Sequence, residues 1–313
     1  MGVHVAAYAA AGPLNPDHEA ALYGAIADLG AAGLEQPFFD RLHRRDEGWL
    51  LGQLRPHWSF VLTLLPGVMD RLAKDRHFGL ASTNPDGRAR ALDFTESARR
   101  AVERLNARMS RRAVLAVEIH SAPRRVEPHQ SSVSAFADSL SLLRRQNWMG
   151  ASLIVEHCDA AVGGHPPDKG FLGLDDEIAA ISLSSGETPV KLGINWGRSA
   201  LETRSARGPL SHIRKAAKNN LLASLFFSGV TPDDAHYGSW KDSHAPFSTQ
   251  AASSLLTPAH AKAALAAAPE CPIIGLKLQP LPAALSLARR VAMIQDGLTH
   301  CRRPEETPLN AGS

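Results

Sequence analysis

The sequence predicts an α/β chain folded as a single (β/α)8 barrel. Short apolar runs alternate with longer amphipathic stretches along the chain, the pattern of repeated β–α units around a parallel sheet. About eight such units can be counted, the number that closes a barrel. The stretch "AAYAAAGPLNP" after the first apolar run lacks the G-x-G-x-x-G turn expected there in an open doubly wound sheet.

In order, the strand candidates are "VHVAAY" from Val3, "AGLEQ" from Ala32, "SFVLTL" from Ser59 and "AVLAVEIH" from Ala113. They continue with "SLIVEH" from Ser152, "VKLGIN" from Val190, "LASLFFS" from Leu222 and "IIGLKLQ" from Ile273. Helix-like sequence follows each, most clearly "FTESARRAVERLNARM" at Phe94, "SVSAFADSLSLLRRQ" at Ser132, "LDDEIAAISL" at Leu174 and "PAALSLARRVAMIQDGL" at Pro282. Ser and Asp ahead of several of these supply N-caps, and the Pro-rich "GGHPPDKG" reads as a loop. The barrel is expected over residues 1–301, with "RRPEETPLNAGS" over 302–313 as a loose tail.

Composition narrows the function classes. With 44% hydrophobic and 21% charged residues in 313, a large core is available. The formal charge of +3 is small, and the basic residues are scattered rather than gathered with aromatics, which disfavours nucleic acid. Cys158, Cys271 and Cys301 are odd in number and far apart, which argues against a disulfide scaffold or zinc knuckle. Without an apolar span or a basic leader, a soluble cytoplasmic protein with no membrane partner is expected.

A barrel places its chemistry at the carboxyl ends of its strands. Those ends carry Glu35, Glu118 and His120, Glu156 and His157, Asn195, Ser228, and Lys277 and Gln279. Because a strand alternates its faces, Glu118 and His120 share one side and Lys277 and Gln279 another, while Glu156 and His157 point opposite ways. With Glu156 in the lumen, His157 faces the helices in a structural hydrogen bond, and His157 and Asp159 brace the rim. Proton abstraction beside a carbonyl needs a base, a second group to return the proton and a positive centre for the developing charge. Glu156, Glu118, His120 and Lys277 supply all of these and are the candidate catalytic residues. Lys277 could act as a base or Schiff-base nucleophile if desolvated, or hold an enediolate oxyanion if charged. An ion pair between Lys277 and Glu156 across the lumen is the structural alternative.

Candidate substrate-binding residues are Glu35, Asn195, Arg198, Trp240 and Gln279. Arg198 could clamp an acidic or polyhydroxylated ligand through its planar fork, and Trp240 could stack on a sugar face. Trp196, offset by one from Asn195, is expected to pack under the helices. His4 and Tyr8 are potential lumen residues on the first strand, and Cys158 has no base placed to activate it.

The blocks "AVEIHSAP", "IVEHCDA", "GINWGRSALE", "FFSGV…YGSWKDSHAPF" and "TLLPGVM…FGLAS" resemble a bacterial family of unknown function, DUF4862, over nearly the whole chain. The resemblance implies a xylose isomerase-like TIM barrel among sugar isomerases, epimerases and endonuclease-IV-like enzymes, and an endonuclease would need a basic groove that is absent here. In that superfamily a divalent metal is held by a Glu of strand five, an Asp or His of strand six, a His of strand seven and a Glu of strand eight. Here only Glu156 matches; Asn195, Ser228 and Lys277 stand at the other places, which puts the standard site in doubt. A rebuilt site could use Glu156, His120, Asp242 and His244 with one Mn, Mg, Zn or Co ion; otherwise no cofactor is expected. The leading expectation, by fold analogy, is a carbohydrate isomerase or epimerase acting beside a sugar carbonyl. The alternatives are a lyase or hydrolase on a sugar derivative, using Lys277 or a metal-bound water, and an inert sugar-binding barrel. The expected partner is a small carbohydrate or derivative, with homo-oligomerisation left open.

Overall fold

A computed structural model describes residues 2–125 and 130–303. Eight parallel strands close into a barrel in chain order: β1 (Val3–Val5), β2 (Gly33–Pro37), β3 (Ser59–Thr63), β4 (Val114–Ile119), β5 (Ser152–His157), β6 (Val190–Asn195), β7 (Leu222–Phe227) and β8 (Ile273–Leu276). The ring shuts where Val3, His4 and Val5 pair with Ile274, Gly275 and Leu276. The helices are α1 (Ala7–Ala11), α2 (Pro16–Asp28), α3 (Glu47–Gln53), α4 (Leu65–Leu72), α5 (Pro85–Met109) and α6 (Val133–Arg144). They continue with α7 (Leu174–Leu183), α8 (Trp196–Thr203), α9 (Gly208–Lys218), α10 (Pro258–Ala267) and α11 (Leu287–Cys301). Among the described residues, no helix is long and apolar enough to cross a membrane.

All eight expected strands form, with several boundaries shifted: β8 ends at Leu276, so Lys277 and Gln279 lie just beyond it. The first strand stops at Val5, and alanines that extend its apolar run instead build α1, so Tyr8 sits on a helix. The helix expected at Phe94 begins nine residues earlier, where the Asn84 side chain caps Gly87 N–H and Pro85 occupies the first turn. The last helix starts at Leu287 rather than Pro282, because Ser286 supplies its cap. The tail expected over 302–313 falls, from residue 304 on, outside the described residues.

Two apolar layers hold the barrel. Val3, Val5, Leu34, Val117, Val155 and Leu225 join the helices in the large outer core. A smaller cluster of Val61, Ala116, Ile154, Ala223, Phe226 and Ile273 fills the lumen floor. Gly275 is required there, since a β-carbon on it would stand 2.0 Å from the Phe226 ring. Two residues further along, the same inward faces turn ionisable: Ala116 gives way to Glu118, Ile154 to Glu156 and Gly275 to Lys277.

Candidate active site in the barrel mouth

The inward ladders of β2, β4 and β5, with the residue just past β8, bring Glu35, Glu118, Glu156 and Lys277 to one layer. One carboxylate oxygen from each of Glu35, Glu118 and Glu156 lies within 4.8 Å of the others. Lys277 Nζ donates to Glu35 Oε1 at 2.8 Å, not to Glu156 as the ion-pair alternative had it, and lies 5.5 Å from the Tyr8 ring centre. His120 Nε2 meets Glu156 Oε2 at 2.8 Å. Arg198, on the first turn of α8, brings Nη1 to 2.5 Å from Glu156 Oε1 as an ion pair without hydrogen-bond alignment, and donates from Nε to Asp242 Oδ2 at 3.0 Å. Glu35, Glu118, His120, Glu156, Arg198 and Lys277 are each at most 2% exposed.

Burial at this depth disfavours charge, so the survivors depend on their partners. Burial raises the Glu118 carboxyl well above its usual range, and the charges of Glu156 and Glu35 push it the same way. Glu156 goes the other way: burial would raise it, but Arg198, Lys277 and the His120 hydrogen bond outweigh that and hold it well below the usual range. Burial would also strip the proton from Lys277, yet Glu35, Tyr8 and Glu156 keep it an ammonium. Glu35 is pushed up by burial and pulled down by Lys277; at 2.8 Å we assign the pair as ionic. Burial lowers His120 despite its bond to Glu156, and Cys158 is a buried thiol raised well above its ordinary value. The carboxylates of Glu35, Glu156, Asp242 and Asp168 meet the cations Lys277, Arg198 and Lys169 in a connected set of ion pairs.

The loops after β5 and β7 cover this layer. Lys169 Nζ reaches Asp242 Oδ2 at 3.1 Å, Asp242 N–H donates to Asp168 Oδ2 at 3.3 Å, and His244 Nδ1 stands 3.2 Å from Asp242 Oδ1. Arg204 donates to the carbonyls of Trp240 at 3.3 Å and Pro166 at 3.1 Å, tying the two loops together. Beneath them several buried polar atoms have no protein partner: Glu35 Oε2, Glu118 Oε2, His120 Nδ1 and Asn195 Nδ2.

The expected substrate residues therefore divide. Glu35, Asn195 and Arg198 lie in the buried layer, where Asn195 Oδ1 accepts from Ser228 Oγ at 2.9 Å and from Arg198 N–H at 3.3 Å. Arg198 is not a free clamp, being engaged by Glu156 and Asp242. Trp240 is half-buried in the covering loop under the Arg204 guanidinium, 5.0 Å away, and Gln279 N–H bonds the His244 carbonyl at 2.8 Å. Trp196 packs outside the barrel against His260, and His4 lies low in the barrel, bonding Ser59 Oγ at 2.9 Å. His157 faces the helices, where it meets Glu177 at 2.8 Å and Glu202 at 3.0 Å. Lys169 went unread because a lysine in a Pro/Gly loop carries no spacing signal. Glu177 went unread because it looked like one more acid on the first turn of α7.

A divalent ion, implied by the superfamily resemblance, is a poor match to this layer. His120, Glu156 and Cys158 do offer three ligand atoms within 4.8 Å of one another. Both Glu156 oxygens are already engaged, however, by His120 and by Arg198. Asp242 and His244 are not brought to the same point as Glu156 and His120, because the Arg198 guanidinium stands between the two pairs. The group Glu35, Glu118 and Glu156 keeps unpartnered oxygens on Glu35 and Glu118, but Lys277 is paired with Glu35 and Arg198 with Glu156, so a dication at any of these places would face a fixed cation at close range.

The family model of a domain of unknown function (DUF4862) matches residues 4–293. The chain belongs to this family. An uncharacterized protein of Salmonella typhimurium strain LT2 is 34% identical over 274 residues, covering 87% of this chain and 86% of that protein. Among solved structures, a candidate xylose isomerase from Rhodospirillum rubrum superposes with a TM-score of 0.63 at 14% identity, covering 97% of this chain and all of that one. The IOLI protein solved with a zinc atom gives 0.60 at 10% identity, over 97% and 100% of the two chains. A D-psicose 3-epimerase from Clostridium cellulolyticum H10, solved with D-tagatose, gives 0.51 at 11% identity, over 90% and 92%. These likenesses establish the fold of the DUF4862 chain as a xylose isomerase-like TIM barrel.

Proposed function

We propose that this DUF4862 protein is an enzyme that moves a proton at a carbon beside the carbonyl of a small carbohydrate or derivative, an isomerase or epimerase working without a metal step. The observation that carries this is the opposed pair Glu118 and Glu156. Two carboxyls with oxygens within 4.8 Å of each other, one pushed up by burial and the other held down by Arg198 and Lys277, suit an acid and a base assigned by environment. Glu156, its Oε2 bonded to His120 and its Oε1 meeting Arg198 without hydrogen-bond alignment, takes the carbon-bound proton on Oε1; the electron pair moves onto the carbonyl oxygen; Lys277 holds the resulting enediolate; and Glu118 returns a proton. The charged, Glu35-paired Lys277 suits an oxyanion holder better than a Schiff-base nucleophile, which needs the free amine. The unpartnered polar atoms of Glu35, His120 and Asn195 suit the hydroxyls of a sugar, as does the company of a D-tagatose-bound epimerase among structures of the same fold. Substrate entry then requires the loops after β5 and β7 to open.

The test is turnover across a panel of aldoses, ketoses and their acids, with variants. Glu156→Gln should abolish it, and Lys277→Met should lower kcat by about a hundred- to a thousandfold while protein folding is retained. Full activity in Glu156→Gln would overturn the assignment. Sugar binding without turnover by the wild type would instead support the inert barrel.

A further inference from the structure

Outside the lumen, a second cluster of ligating side chains lies on the far side of β5. His157 points away from the barrel, between α7 and α8, and Glu202 of α8 and His212 of α9 converge on it. One ligand atom from each lies within 4.8 Å of the others. His157 Nε2 is 3.0 Å from Glu202 Oε2, and His212 Nε2 is 3.7 Å from Glu202 Oε1. Zinc–nitrogen and zinc–oxygen bonds in a tetrahedral site place neighbouring ligand atoms about 3.3 Å apart; here each imidazole faces a different oxygen of the Glu202 carboxylate, at distances on either side of that value.

The opposite ring nitrogens are already fixed. His157 Nδ1 bonds Glu177 Oε2 at 2.8 Å, and Glu177 Oε1 accepts from Ser121 Oγ at 2.6 Å. His212 Nδ1 bonds Ser199 Oγ at 3.0 Å, and Ala160 N–H holds Glu202 Oε2 at 2.8 Å. A carboxylate or hydroxyl behind each imidazole, turning its Nε2 inward, is the outer shell that metal-binding histidines carry. The two rings stand nearly edge-on, 5.1 Å apart at 78°, with no room for a third side chain between them. Glu202 and His212 also line a cavity of about 580 Å³ that includes Phe171 and Leu174, with the ion pairs Arg125–Asp176 and Lys215–Asp175 at its rim. The cluster is therefore closed by protein on one side and open on the other, the layout of a site that keeps a coordination position free.

We propose that His157, Glu202 and His212 form a zinc-class divalent metal site, with its fourth position facing this cavity. The ion takes the place of the proton between His157 Nε2 and Glu202, which leaves to solvent. Unlike the lumen, this cluster has, among the described residues, no lysine or arginine ion-paired with its ligand atoms. The site is separate from the barrel mouth and stands or falls independently of the proposed proton transfer.

The test is titration of the tag-free, chelator-stripped chain with CoCl2 and then ZnCl2 at mildly alkaline pH, read by the visible absorption of tetrahedral cobalt and by thermal unfolding. The expected result is saturation at one ion per chain and a zinc-dependent rise in Tm. His212→Ala, at the cavity wall, should weaken binding by at least about tenfold, and Ser199→Ala, which only frees the His212 ring, by a smaller factor. Glu156→Gln should leave cobalt and zinc binding unchanged. Absence of saturable binding, binding indifferent to both His212→Ala and Ser199→Ala, or binding lost in Glu156→Gln would each overturn the proposal.

Discussion

His4 shows how one side chain in the lumen carries a consequence for the whole chain. It is buried, and burial lowers its pKa from 6.5 to about 4. Between those two values the unfolded chain binds a proton at His4 that the folded chain does not. Its contribution to stability is therefore fully present above pH 6.5 and is lost as pH falls toward 4, by on the order of 3 kcal/mol. Urea unfolding of wild type and His4→Gln at neutral pH and near pH 4.5 checks this: the wild type should lose more on acidification than the variant. Glu118, Glu156 and Lys277 are residues whose positions at strand ends and whose alternation were readable from the sequence. Their charge states were not, because each is set by a partner far away in the chain. Lys277 and Glu35 are 242 positions apart, and Arg198 and Asp242 are 44 apart. Alternation assigned His157 to the outer face, but nothing in the spacing announced that Glu177, Glu202 and His212 would meet it there.

At the scale of elements, the strands were legible because both their faces are apolar, and their ends were marked by acids, amides and histidines. Helix starts were less so: Asn84 and Ser286 act as caps, yet each is preceded by sequence that reads equally well as helix or loop. Asn84→Ala should destabilise the chain by about 1 kcal/mol, measurable as a lower urea midpoint with an unchanged slope. Gly275→Ala forces a methyl into the Phe226 ring and should cost about 1–3 kcal/mol or more. The covering loops depend on Asp242, whose carboxylate is held well below its usual range because Arg198 and Lys169 overcome the effect of burial. Asp242→Asn leaves both cations short of a partner, and the expected loss is about 3–5 kcal/mol. Faster amide exchange in residues 161–170 and 231–246 than in the strands would show that the loss is felt first in the cover, whereas uniform exchange would place Asp242 in the core instead.

On the scale of the molecule, the fold turns a chain with small net charge into a barrel with an apolar floor, an ion-paired layer and a cover. The floor of Val61, Ile154 and Phe226 keeps water from below, and the loops after β5 and β7 keep it from above. The cations of the layer are Lys277, Arg198 and Lys169, and Lys277 stands where the resemblance would put the strand-eight glutamate of a cation site. The central proposal is that the Lys277 ammonium holds the developing negative charge while the carboxyl pair Glu118 and Glu156 moves the proton. The most direct measurement is NMR-detected uptake of solvent deuterium at the carbon beside the carbonyl, across the sugar panel, with chelator present. Wild-type protein should exchange that hydrogen in at least one sugar without added metal, and Glu156→Gln should not. Exchange that appears only when a divalent metal is restored, or that proceeds undiminished in Glu156→Gln, would contradict the account.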